Sequence, residues 1–197
     1  LGSLVSFLLV PMAMVRLGPR TCLFLGLILC VCGLWMMGGF SLEMTSGPIL
    51  VSGFVQGLGV GLLFSPLSTL AYVTLDPSHR VEGTVVSTMV RSLGSSVGIS
   101  IVLAAVLRNS AGAHSELAGR IDPSSPLLRY LLPPLMDPRS EVGAQILNGE
   151  ITRQSAMIGY ANIFMWMALV TCVILPAVIF LRPARTAPSD KVEIHTE

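Results

Sequence analysis

The sequence predicts an all-α polytopic membrane protein, a bundle of about five transmembrane helices. Three observations carry this. Of the 197 residues 52% are hydrophobic and 12% are charged, about half the charge of a soluble globular chain. The charges are absent from long stretches, leaving five charge-poor blocks at 1–15, 22–40, 49–73, 83–107 and 156–181. The blocks are continuous runs of Leu, Val, Ile, Gly and Met, whereas a barrel strand alternates over about ten residues.

Taken in order, the first block has 15 residues and opens at Leu1, which reads as a helix entered part-way. It lacks the basic leader and small-residue cleavage site of a secretory signal. The second has 19 residues and the others 25, 25 and 26, enough for the roughly 20 needed to cross a hydrocarbon core. Residues 1–181 thus form a transmembrane bundle and 182–197 a tail. Arg16 to Thr21 is a tight basic turn around Gly18-Pro19, and Ser41 to Pro48 carries Glu43 alone. Asp76-Pro77-Ser78-His79-Arg80 has turn chemistry that can cap the fourth helix. The long loop at 108–155 holds Pro123, Pro126, Pro133, Pro134 and Pro138, so its first part is not a continuous helix. From Glu141 the spacing of Val142, Ile146, Leu147 and Ile151 predicts a helix leading into the fifth span.

Six basic residues (Arg16, Arg20, Arg80, Arg182, Arg185, Lys191) fall on one side of the spans and five (Arg108, Arg120, Arg129, Arg139, Arg153) on the other. All five belong to the long, partly acidic loop, and the short loops divide cleanly into basic and non-basic. The expectation is a cytoplasmic C-terminal tail and a long loop outside. The net charge of +1 gives no clustered basic face for nucleic acid. Cys22, Cys30, Cys32 and Cys172 lie within apolar blocks without a metal or redox spacing, and read as small apolar side chains.

The eleven acidic residues and the three histidines all lie outside the blocks, so no intramembrane carboxylate or histidine is present to relay protons or to act as acid or base, and no enzyme activity is expected. Arg91 is the one charge inside a block, about 12 Å past Gly83 at 1.5 Å per residue. Either it snorkels to the cytoplasmic surface or it faces an inner cavity or a carboxylate on another helix. Gly53, Gly57 and Gly61 repeat every four residues, as do Gly94 and Gly98, the spacing of close helix packing in membranes. Gly57-Leu58-Gly59-Val60-Gly61 has no preceding strand to make it a phosphate loop, and Gly94-Ser95-Ser96-Val97-Gly98 lacks the elbow and histidine of a serine nucleophile. Gln56 and Asn162 are too polar to face lipid. Pro66, beside Ser65, is expected to kink the third span. For a cavity or gate the candidates are Gln56, Ser65, Arg91, Ser95 and Asn162.

Four motifs follow one another in order: Leu17-Gly18-Pro19-Arg20; Gln56 through Leu67, reading QGLGVGLLFSPL; the turn from Thr74 to Gly83; and Val90-Arg91-Ser92-Leu93-Gly94-Ser95-Ser96-Val97-Gly98-Ile99-Ser100. A fifth, Glu150 through Met157, closes the long loop. The series resembles the C-terminal part of the fourteen-helix drug:proton antiporters of the major facilitator superfamily, the EmrB/QacA type. The resemblance implies a bacterial inner-membrane exporter of drug-like amphipathic compounds, working by alternating access with the proton gradient as energy source and no bound cofactor. It implies as partners the N-terminal helices of the same transporter, a membrane-fusion adaptor and an outer-membrane channel. The chain departs from the pattern at Met14-Val15-Arg16, where no Asp precedes the Arg, which weakens a gate salt bridge through Arg16. The alternatives are a facilitator for another small molecule and a non-transporting integral membrane subunit.

Overall fold

A computed structural model describes residues 2–73, 77–121, 133 and 136–180, with the side chains of 69–77 and 177–180 excepted. The described residues hold five α-helices: α1 (Gly2–Leu17), α2 (Pro19–Gly38), α3 (Ser46–Val73), α4 (Arg80–Gly119) and α5 (Glu141–Phe180). The last four are long and apolar enough to cross a membrane, and α1 is a shorter apolar helix. The chain is an all-α transmembrane bundle.

The ends of the helices follow from local chemistry. A single residue, Gly18, separates α1 from α2, and its φ of 79° is a conformation that only glycine adopts without strain. Its N–H donates to the Met14 carbonyl at 3.0 Å, and its own carbonyl accepts from the Cys22 N–H at 3.2 Å. Pro19 then supplies the first residue of α2, where a missing N–H breaks no helical bond. The turn before α4 is a 3-10 segment, Pro77–His79. Asp76 lies outside the described residues, and the residue before α4 is His79, which gives no side-chain cap. Instead its ring sits 3.3 Å from the Glu82 carboxylate, one turn into the helix.

Part of the segment expected to be a loop at 108–155 is helical. Residues 108–119 continue α4 in place of the expected loop, and 141–155 form the first turns of α5, the helix expected from Glu141; the prolines Pro123, Pro126 and Pro134 lie outside the described residues. Each of these helices has 40 residues, about 60 Å at 1.5 Å per residue and twice the roughly 30 Å of a hydrocarbon core. They pair as an antiparallel hairpin. His114 Nε2 lies 3.1 Å from Asn148 Oδ1, and a Cβ on Gly159 would run into Ser110.

Helix neighbours run in the order α1, α3, α2, α5, α4. In lipid no hydrophobic force draws helices together, so they associate through tight packing, and small residues mark each seam. Between α2 and α3, a Cβ on Gly59 would lie 2.8 Å from the Cys30 backbone nitrogen, and one on Gly26 would lie 3.0 Å from the Gly59 carbonyl oxygen. On the other side of α3, a Cβ on Gly57 would lie 3.0 Å from the Ser3 backbone nitrogen, and one on Gly61 would run into the Ser6 side chain. Ser6 Oγ also donates to the Leu58 carbonyl at 3.0 Å. Between α2 and α5, a Cβ on Gly38 would lie 3.1 Å from Met165 Cε.

The seams make a testable contrast. Gly59→Ala places a methyl against backbone that cannot yield, and should lower stability by about 1–3 kcal/mol. Gly149→Ala meets nothing within 4 Å and gains helix propensity, so it should leave stability equal or slightly higher. Thermal unfolding in detergent micelles checks both; equal loss in the two variants would remove the seam as the cause.

Candidate functional site

The candidate residues divide between a tight seam and an open edge. Gln56 sits in the α2–α3 seam, where its Oε1 would be 2.6 Å from a Cβ on Gly33. That oxygen is buried and has no hydrogen-bond partner among the described residues. Ser65, one and a half turns below Val60 on the same helix, donates from Oγ to Met14 Sδ at 3.4 Å and so belongs to the α1–α3 contact. Pro66 lies inside the continuous α3 and is fully buried. Its missing N–H leaves the Leu62 carbonyl without the usual helical donor.

Arg91 and Ser95 lie on α4. Thr84, Thr88, Arg91 and Ser95 recur at intervals of four, three and four, which puts them on one stripe of the helix. All four are exposed. The hydroxyls of Thr88 and Ser95 donate to the carbonyls of Thr84 and Ser92 on their own helix, at 2.8 and 2.9 Å. The Arg91 guanidinium lies over the Phe64 ring of α3, 4.7 Å from its centroid, a cation–π geometry. This contact bridges two helices that share no extended packing among the described residues. Asn162 is exposed on α5, on the face that also carries Ile158, Leu169 and Val173.

The structure therefore brings Arg91 and Ser95 onto one stripe and Arg91 to Phe64. It keeps Gln56 and Ser65 in helix contacts and leaves Asn162 apart from the others. Gly53, Gly94 and Gly98 meet nothing within 4 Å. Sequence reading missed Phe64, whose role depends on a neighbour 27 positions away. It also missed Gly26 and Gly33, although their spacing of seven, two helical turns on one face, was a usable signal. The described residues hold no group of His, Cys, Asp and Glu fit for a metal ion, and the four cysteines are free.

Comparison with known proteins gives one consistent answer. The probable multidrug resistance protein EmrY of Escherichia coli is 29% identical over 164 residues, 82% of this chain and 32% of EmrY. The fatty acid resistance protein FarB of Neisseria gonorrhoeae is 29% identical over 146 residues, 73% of this chain and 29% of FarB. The multidrug resistance protein Stp of Mycobacterium tuberculosis is 27% identical over 191 residues, 92% of this chain and 34% of Stp. The chain is similar to the EmrB-type resistance proteins. The resemblance drawn from the motif order is thus matched by similarity along most of the chain, and the relatives are named as transport and resistance proteins rather than enzymes. The chain spans about a third of the length of the EmrB-type relatives it matches. No family model matches it, and no solved structure does.

Gln56 offers a direct test of the seam. Removing a buried acceptor that lacks a donor relieves its desolvation penalty, so Gln56→Met should hold stability level or raise it by about 1 kcal/mol. Gln56→Glu buries an ionisable group in the same place and should cost at least about 2 kcal/mol. Chemical denaturation in mixed micelles measures the difference. A destabilised Gln56→Met would show that the amide has a partner.

Proposed function

We propose that this chain is part of a drug exporter of the major facilitator type, moving amphipathic toxic compounds out of the cell in exchange for protons. The observation that carries the reading is the collinear similarity to EmrY, FarB and Stp over 73–92% of the chain, joined to four helices of membrane-spanning length and composition. In this reading the bundle forms one wall of a cavity and further helices of the same transporter form the other. Alternating access then rocks the two against each other around a site near the midplane. Gln56, Ser65, Arg91, Ser95 and Asn162 are the candidates for the cavity and its gate. Arg91 and Ser95, on the exposed stripe of α4, have the freest access to a solute.

No carboxylate lies within the membrane blocks of this chain, so the proton-coupling groups belong to the other helices. The energy source is the proton gradient, and no bound cofactor is required. The protein resides in the bacterial inner membrane with its C-terminal tail in the cytoplasm. The α4–α5 hairpin then projects on the outer side, where a membrane-fusion adaptor leading to an outer-membrane channel would meet it.

Two measurements test this. The complete open reading frame that contains the chain, expressed in cells stripped of their own exporters, should lower accumulation of lipophilic dyes, and a protonophore should abolish the effect. Accumulation unchanged by a well-inserted protein, across cationic, neutral and anionic dyes, would remove the export reading. For orientation, a thiol introduced by Ser115→Cys on the hairpin should react with an impermeant maleimide in intact cells. One introduced by Ser189→Cys in the tail should react after permeabilisation alone. The reverse pattern would invert the topology.

A further inference from the structure

We propose that Arg91, held on the Phe64 ring, is a receptor for the anionic head of an amphipathic molecule. The inference rests on the reading of the α3–α4 edge as part of a cavity wall. It adds a ligand chemistry that the reading leaves open.

The geometry of the pair is the first argument. A guanidinium held over a ring by cation–π attraction does not use its N–H groups on an acceptor, so its donors remain available to a ligand. The ring lies 4.7 Å from the Arg91 Cζ, and among the described residues no carboxylate or hydrogen-bond acceptor pairs with Arg91. Among the described residues the fork is therefore held at the ring with its donors unused. Such a fork matches a carboxylate or phosphate through two parallel hydrogen bonds, and binding one leaves the ring contact intact. A cation at the same place would have to displace Arg91 from the ring and remain beside its charge.

The surroundings are the second argument. An Arg within an apolar span, with no carboxylate partner among the described residues, is in an unfavourable state that an anion relieves and a neutral solute does not. One helical turn before Arg91, a shallow groove runs over Val81, Thr84, Val85, Thr88 and Met89 of α4. Thr88 and Thr84 send their hydroxyl protons to their own helix, so the groove presents mainly methyl and methylene groups. With its head on Arg91, an amphiphile can lay its apolar tail along this groove.

A transported amphipathic acid and an anionic membrane lipid share this chemistry, and the experiment separates them. The protein from the complete open reading frame is placed in phosphatidylcholine nanodiscs. Its affinities for dodecanoate and dodecyltrimethylammonium, which share a tail and differ in charge, are measured. Arg91→Ala should weaken dodecanoate about tenfold or more and leave the cation unchanged or tighter. Arg91→Lys keeps the charge but loses the fork, and should give an intermediate loss. Phe64→Leu should weaken dodecanoate about threefold by freeing the guanidinium. If phosphatidylglycerol in the disc competes with dodecanoate in the wild type but not in Arg91→Ala, the lipid headgroup is the occupant. If phosphatidylglycerol has no effect, the occupant is a solute. Dodecanoate affinity within about twofold of wild type in Arg91→Ala, or equal loss for both amphiphiles, would overturn the receptor. Cation binding no weaker than in the wild type also certifies the fold of each variant. A wild type that binds dodecanoate through Arg91 yet exports no dye would remove the export reading and leave the receptor. A wild type that exports dyes while Arg91→Ala binds dodecanoate normally would do the opposite.

Discussion

The close approach of α2 and α3 is the constraint on which the rest of the bundle depends. Lipid tails are as apolar as leucine, so burying a leucine between helices gains little; what helices gain is contact at full packing density. Backbones reach that density only where no Cβ intervenes. Gly26, Gly33 and Gly59 provide the gap, into which Cys30, Gln56, Leu62 and Leu63 fit. Once α2 is pressed on α3, its opposite side is left for α5 at Gly38. This places α2 at the centre, with a third of its most apolar stretch buried against 6% for α4. The same approach places the Gln56 amide against Gly33 and leaves its oxygen without a donor. The unsatisfied group follows from the tight seam.

Helix α3 serves two neighbours by alternating its glycines. Residues 57 and 61 share one face, and residue 59 points about 200° away from 57 at 100° per residue. Gly57 and Gly61 accordingly meet α1, while Gly59 meets α2. A run that superficially has the letters of a phosphate loop is here a two-sided packing device. No polar side chain could replace these glycines without separating one of the two seams.

Much of this was legible in the sequence, and the gaps have physical causes. The blocks of apolar residues led to the helices because length and absence of charge are sufficient evidence in lipid. The four-residue spacing led to Gly57 and Gly61, but the same spacing also picks out Gly53, Gly94 and Gly98, which meet nothing within 4 Å. Periodicity identifies a face and says nothing of what lies opposite it. The extension of α4 to Gly119 was hidden by Arg108, His114 and Glu116: charge ends an apolar block without ending a helix. Within the site, Arg91 was conspicuous because a charge in a span is rare. Phe64 was not, since an aromatic residue in a span is ordinary until the fold shows what rests on it.

The edges of the bundle differ in what they lose on opening. Parting α2 from α3 would forfeit backbone-level contact along two turns of α2, from Gly26 to Gly33. Parting α3 from α4 loses chiefly one side-chain contact, Arg91 on Phe64, worth about 0.5–2 kcal/mol in the general case. Pro66, two residues past Phe64, adds to the asymmetry. Its ring already denies the Leu62 carbonyl its helical donor, so α3 can bend there without sacrificing that bond. The bundle thus combines a rigid side, built of glycine contacts, with a side closed by two reaching side chains next to a proline. Separating α3 from α4 is therefore energetically cheaper than separating α2 from α3, and the exposed polar stripe of α4 lies on that second side.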